Sequence, residues 1–153
     1  MFRSPARLFR VLAIAEAITW TLLIGALIAR AMGLAPALVT AAGGIHGFVF
    51  LSYGATAVLL AFHQRWHAGV AITTIASAIV PYVTIPVEVW LHRSGRLEGD
   101  WRMVETDDPR DATWYDRTMR WFLHRPWVLA VLILIAIVAI FSILLLIGPP
   151  GGK

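Results

Sequence analysis

Four stretches of the chain run for about 20 residues with almost no charge: 11–29, 37–62, 68–91 and 127–147. Each is long enough for a helix to cross a hydrocarbon core roughly 30 Å thick. The last, "WVLAVLILIAIVAIFSILLLI", has no charge and carries Trp127 at its edge, where an interfacial anchor belongs. The first follows Arg3, Arg7 and Arg10 as a signal peptide would, with Ala29 and Ala31 as a small-residue cleavage pattern. Its apolar part is longer than a usual leader and contains Glu16, so it reads as an uncleaved helix. The links "RAMGLAP", with Gly33 and Pro36 as breakers, and "HQRWH" are short, which predicts antiparallel neighbours.

Residues 93–126 form the one sizeable polar segment, with seven arginines and seven acids. Within it Asp108 suits an N-cap, Pro109 the first helical position and Asp111 a capping-box acid, which predicts a helix over 109–124. Trp114, Thr118, Trp121 and Phe122 would share one face of it, with Asp116, Arg117 and Arg120 elsewhere, as in an interfacial amphipathic helix. The expected organisation is a three-helix membrane core at 1–92, the polar loop with its interfacial helix at 93–126, and a fourth transmembrane helix with a short tail at 127–153. The fold class is an all-α membrane protein: a four-transmembrane-helix bundle with one interfacial helix and both termini on one side.

Composition sharpens this picture. Hydrophobic residues are 59% of 153 and charged residues 14%, with a mean hydropathy of +0.74, where a soluble domain carries about a quarter charged residues. Such a chain belongs in the cell membrane as a multi-pass protein. With no cysteine, disulfides and thiolate chemistry are excluded. The formal charge of +4 rests on twelve arginines and one lysine, which suits contact with membrane lipid rather than nucleic acid. The arginines do not agree on orientation. The N-terminal segment puts the N-terminus in the cytoplasm, yet four spans place Arg3, Arg7, Arg10, Arg65 and Lys153 on one side, and Arg30 with the seven loop arginines on the other.

Three ionisable side chains fall inside the spans: Glu16, His46 and Glu88. Such groups are costly in hydrocarbon and by default face a bundle interior and pair. At about 1.5 Å per residue, Glu16 and His46 differ in depth by about 9 Å and Glu88 lies about 8 Å further towards the first-loop side, a ladder rather than a cluster. Thr73, Ser77, Pro81, Thr84 and Glu88 would form a polar stripe along the third helix. Pro81 and Pro86 would free the carbonyls of Ser77 and Tyr82, giving a kinked helix. Gly43, Gly47 and Gly54 are expected to let a neighbouring helix approach closely enough for His46 to reach across. The plainer account is that His46 and Glu16 merely pin two helices together.

The segments "FRVLAIAEAITWTLLI", "GGIHGFVFLSY" and "IVPYVTIPVEVWL" resemble a small bacterial integral-membrane family catalogued as a domain of unknown function. It is marked by an acid in helix one, G-x-x-H-G in helix two, and proline followed by an acid in helix three. The resemblance covers roughly residues 7–95 and implies that the family's marked positions are Glu16, His46, Gly47, Pro81 and Glu88. Ala17 stands where that family favours glycine, and the polar loop and fourth helix are additions to it.

Two functions compete. One is a structural or accessory subunit, as a homo-oligomer or within a larger membrane complex. The other is proton- or ion-coupled transport, relayed through Glu16, His46 and Glu88. No catalytic residue, cofactor or metal site is expected. A metal shell needs ligands at one depth, and His46 is the one deep histidine, which excludes bis-histidine haem.

Overall fold

The structure, a computed structural model, describes residues 4–34 and 37–147, so Arg3, Pro36 and Lys153 lie outside the described residues. All regular elements among the described residues are helical: α1 (Pro5–Ala31), α2 (Ala37–His63), α3 (Ala68–Ala76) followed by a 3-10 turn (Ser77–Ile79), α4 (Thr84–Arg93), a 3-10 turn (Pro109–Ala112), α5 (Trp114–His124) and α6 (Pro126–Ile147). Two units are distinguished, Met1–Arg102 and Met103–Lys153.

In the first unit α1 and α2 are long and apolar enough to cross a membrane. Ser4 caps α1 by accepting from the Arg7 N–H at 3.3 Å, and Pro5 occupies a first-turn position. At the other end Gly33 takes φ +77°, and the Gly33 and Leu34 N–H groups close on the carbonyls of Arg30 and Ala29. This is a Schellman cap, for which glycine is the natural residue. The core joins Phe9 and Ala13 of α1, Tyr53, Ala57 and Leu60 of α2, and Ala78, Leu91 and Leu97 from the segment that follows.

That segment departs from the expected third span. Residues 68–93 are not one helix but a helical hairpin. α3 and its 3-10 turn make about 20 Å and α4 about 15 Å, each too short to cross alone. Direction follows from the contacts. The Tyr53 hydroxyl meets Ser77 Oγ at 2.9 Å, and Trp20 Nε1 donates to the Ala78 carbonyl at 3.3 Å. The chain then reverses: Thr84 Oγ1 donates to the Ala13 carbonyl at 3.1 Å, and Arg10 Nε to Glu88 Oε1 at 3.0 Å. By residue 96 it is back beside the end of α2, where Trp66 Nε1 donates to the Arg96 carbonyl at 3.0 Å.

Pro81 explains the reversal. It cannot donate to the helix ladder, and its ring pushes the preceding residue out of the helical region; Val80 is accordingly extended at φ −105°, ψ 124°. Tyr82 then turns the chain at φ +67°. The two carbonyls expected to be freed by proline are recaptured locally: Ser77 accepts from the Val80 N–H at 3.4 Å and Tyr82 from the Ile85 N–H at 3.2 Å. A hairpin tip that closes its own hydrogen bonds can persist at membrane depth.

The first unit also runs past the expected boundary at residue 92. Leu97 is buried, and the Arg102 N–H donates to Nε2 of the buried His63 at 2.8 Å.

The second unit corrects the expected helix over 109–124. Asp108 caps as predicted, accepting from the Arg110 N–H at 2.9 Å, but the turn it starts is a short 3-10 one. Asp111 does not cap; its carboxylate accepts from the Thr106 N–H at 2.9 Å and hydroxyl at 2.6 Å. Thr113 becomes extended and α5 begins only at Trp114. The face expected to carry tryptophan is outward, with Trp114 77% exposed and Trp121 46% exposed, while Asp116 is buried. α5 meets the start of α6 at an angle of 102°.

Candidate functional site

α1, α2 and the hairpin enclose most of the buried polar groups of the first unit. Glu16 is fully buried, and both its carboxyl oxygens lie in the interior with no hydrogen-bond partner among the described residues. His46 Nδ1 stands 3.8 Å from Glu16 Oε2, beyond hydrogen-bond length, and 3.1 Å from Thr19 Oγ1, which itself donates to the Glu16 carbonyl at 3.0 Å. The Trp20 ring covers the imidazole at 4.4 Å, and Phe50 flanks it at 6.2 Å. His46 is thus held by a hydroxyl and an aromatic face while presenting the same nitrogen towards the carboxyl.

The depth difference expected between Glu16 and His46 is removed by helix stagger. Phe9 packs on Tyr53 at 5.1 Å between ring centres, and Glu16 meets His46, two contacts in one register. This register slides α2 along α1 and cancels the offset of about 9 Å that level helix centres would impose.

Glu88 is not further along the ladder in the expected direction. Because the chain reverses at Pro81, Glu88 returns to the end of α1 where Arg10 lies, and the two form an ion pair at 3.0 Å. Thr84 and Ser77 are buried and bonded to backbone or tyrosine as described, but the stripe has a different first member: Thr74 is buried and Thr73 exposed. Pro81 makes the turn and sits half-buried.

The close approach expected at the glycines is missing at Gly54 and loose at Gly43. A side chain at Gly54 would meet nothing within 4 Å, and one at Gly43 would come only to 4.0 Å from Leu23. Gly47 is half-buried beside His46. Close packing of α1 and α2 rests instead on alanines, with Ala13 and Ala57 fully buried.

Arg10, Thr19 and Trp20 are members of the site that reading the spans one by one passed over. Thr19 lies one turn from Glu16, a spacing that signals a shared face. Nothing in linear order pairs Arg10 with a residue 78 positions away. Among the described residues no three histidine or acidic groups come together as a metal shell would require.

Residues 6–93 match a family described as a domain of unknown function, DUF3817. The chain belongs to that family. The matched stretch holds Glu16, His46 and the whole hairpin, and it ends where the polar loop begins, so the loop and α6 lie outside it. A Streptomyces coelicolor protein named "Putative membrane protein SCO5905" is 34% identical over 93 residues, which cover 60% of this chain and 11% of that protein. The chain thus aligns with about a tenth of the length of its curated relative. No solved structure matches it. This DUF3817 protein is a helical membrane protein built on two long apolar helices.

Proposed function

We propose that the protein is a non-catalytic accessory module of the cell membrane, a multi-pass chain that works inside a larger membrane assembly. One observation carries this reading: apart from the Glu16 carboxyl, the polar side chains at the centre of the first unit are engaged with one another or with backbone carbonyls. Arg10 with Glu88, Thr84 with Ala13, Tyr53 with Ser77 and Thr19 with His46 tie three elements together. The appearance of a similar 93-residue stretch as a small part of a much longer protein supports a module that serves a larger body. The test is to isolate tagged protein from native membranes in mild detergent. A complex containing other membrane proteins is expected; a homogeneous species containing this chain alone would overturn the reading.

Three crossings suit the hairpin better than four. α1 and α2 cross, residues 68–93 enter and leave on one side, and α6, 22 residues long, crosses last. The arginines then agree. Arg7, Arg10, Arg65, Arg93, Arg96, Arg102, Arg110, Arg117, Arg120 and Arg125 fall on one side and Arg30 on the other, which puts the N-terminus in the cytoplasm and the C-terminus outside. α5, with its tryptophans outward and its right-angled step into α6, suits a helix lying in the interface.

A second reading has one observation in its favour. The buried carboxyl of Glu16 beside His46 lacks hydrogen-bond partners, which suits a group that takes up and releases a proton. Glu88, neutralised by Arg10, would not join such a relay. Under this reading Glu16→Gln should fold normally yet abolish pH-dependent flux in proteoliposomes; flux equal to wild type would eliminate it.

A further inference from the structure

Glu16 is sealed: its carboxyl is fully buried and has no hydrogen-bond partner among the described residues. On α1 the spacing of Ala13, Glu16 and Trp20 puts them along one face. The two outer members of that row hold the hairpin, Ala13 through its carbonyl to Thr84 Oγ1 at 3.1 Å and Trp20 through its indole N–H to the Ala78 carbonyl at 3.3 Å. Residues 78–83 therefore close over α1 at the level of Glu16.

The hairpin is fastened firmly on either side of this tip and loosely at it. Ser77 Oγ meets the Tyr53 hydroxyl at 2.9 Å and Glu88 meets Arg10 at 3.0 Å. The bonds between α1 and the tip are longer, 3.3 Å from Trp20 and 3.4 Å between Thr21 Oγ1 and the Tyr82 hydroxyl, and the turn closes from the Val80 N–H to the Ser77 carbonyl at 3.4 Å. Bonds beyond the usual range of about 2.7–3.2 Å are weak. Tyr82 is left-handed at φ +67°, a conformation that a bulky side chain takes only under constraint, and strain of this kind gathers at moving parts. Ile79, Val80 and Tyr82 are exposed while Ser77 and Thr84 are buried, so the tip can lift between two fixed ends.

Trp20 ties this movement to the site. Its ring covers the His46 imidazole at 4.4 Å, and the same indole is bonded to the tip. When the tip lifts, the indole loses its acceptor and is free to leave the imidazole, so one movement uncovers Glu16 and His46 together. Irregular backbone is tolerated at membrane depth where it is buried in protein or lines a wet cavity, and water beside the raised tip is the partner with which the Glu16 carboxyl would trade its proton. The ionisable groups on the packed elements leave this to Glu16 and His46: Glu88 of α4 is neutralised by Arg10, the Tyr53 hydroxyl of α2 is bonded to Ser77, and the Tyr82 hydroxyl faces Thr21.

We propose that residues 78–83, latched by Trp20, are a gate over the Glu16–His46 pair, closed in this structure and lifted to let Glu16 exchange its proton with water. This gate rests on the reading in which Glu16 takes up and releases a proton.

Full-length protein in liposomes is treated with dicyclohexylcarbodiimide, which couples to a protonated carboxyl within its reach, and the adduct at Glu16 is followed by peptide mass spectrometry with Glu16→Gln as the blank. Trp20→Phe keeps an aromatic ring over His46 but loses the bond to Ala78, and should raise the labelling rate about fivefold, the factor that one hydrogen bond is worth. Since no native cysteine competes, Thr21→Cys with Tyr82→Cys can be bridged across the gate by a short bis-methanethiosulfonate. Bridging should bring labelling below the wild-type rate, and a reductant should restore it. Labelling that is indifferent to Trp20→Phe and to the bridge, or absent from every variant, overturns the gate. Should Trp20→Phe fail to fold, the bridge and its release decide alone. Flux is measured on the same bridged protein: pH-dependent flux that persists there overturns the gate and spares the relay, whereas labelling that follows the bridge without flux in the unbridged protein sinks the relay and keeps the gate.

Discussion

The Arg10–Glu88 pair is the contact on which the helical hairpin can be tested energetically. Glu88 is 6% exposed at its side chain and Arg10 53%. Breaking a fully buried pair costs about 3–5 kcal/mol and an exposed one about 0–1 kcal/mol. With one partner dry and the other half in solvent, Arg10→Gln should cost about 1–2 kcal/mol. Glu88→Gln should cost less, about 0.5–1 kcal/mol, because the amide oxygen still accepts from Arg10 Nε. The double variant should then fall short of the sum, with a coupling of about 1 kcal/mol, well above the additivity error of about 0.3–0.5 kcal/mol. Unfolding by SDS in mixed micelles, followed by circular dichroism on all four proteins, measures it. A continuous third span would put residues 10 and 88 at opposite faces of a core roughly 30 Å thick. Strict additivity would therefore refute both the pair and the reversal at Pro81.

Ser4→Cys and Ser94→Cys should both be labelled by a membrane-impermeant maleimide from the cytoplasmic side alone, since no native cysteine competes; labelling from opposite sides would restore the four-span topology. Tyr53→Phe removes the hydroxyl that meets Ser77 Oγ at 2.9 Å and should cost about 0.6–1.7 kcal/mol in the same micelle assay, an unchanged midpoint counting against the α2–hairpin bond. Glu16→Ala should leave that midpoint within about 0.5 kcal/mol of wild type or raise it, because the carboxyl it removes is buried without hydrogen bonds; a large loss would mean that Glu16 has a partner after all. Trp114→Ser with Trp121→Ser should open the loop to added protease in membranes, and equal protection would argue against α5 lying in the interface.

The membrane class, the long helices α1 and α2, the polar loop and the buried rank of Glu16, His46, Ser77, Thr84 and Glu88 were all legible in linear order. Hydrocarbon permits few backbone arrangements, and an ionisable residue in an apolar run has few places to go. Pro81 was legible as a disturbance, but not as a reversal. A proline and a left-handed Tyr82 allow either a kink or a turn, and the choice falls to bonds from residues far away, Trp20 to Ala78, Thr84 to Ala13 and Arg10 to Glu88. The same holds for register. Depth counted along isolated helices separated Glu16 from His46, and only the stagger of α1 against α2, set by packing such as Phe9 on Tyr53, brought them within 3.8 Å. Periodicity and polarity are properties of neighbours in sequence; reversal, stagger and ion pairing belong to surfaces that meet only after the chain has folded.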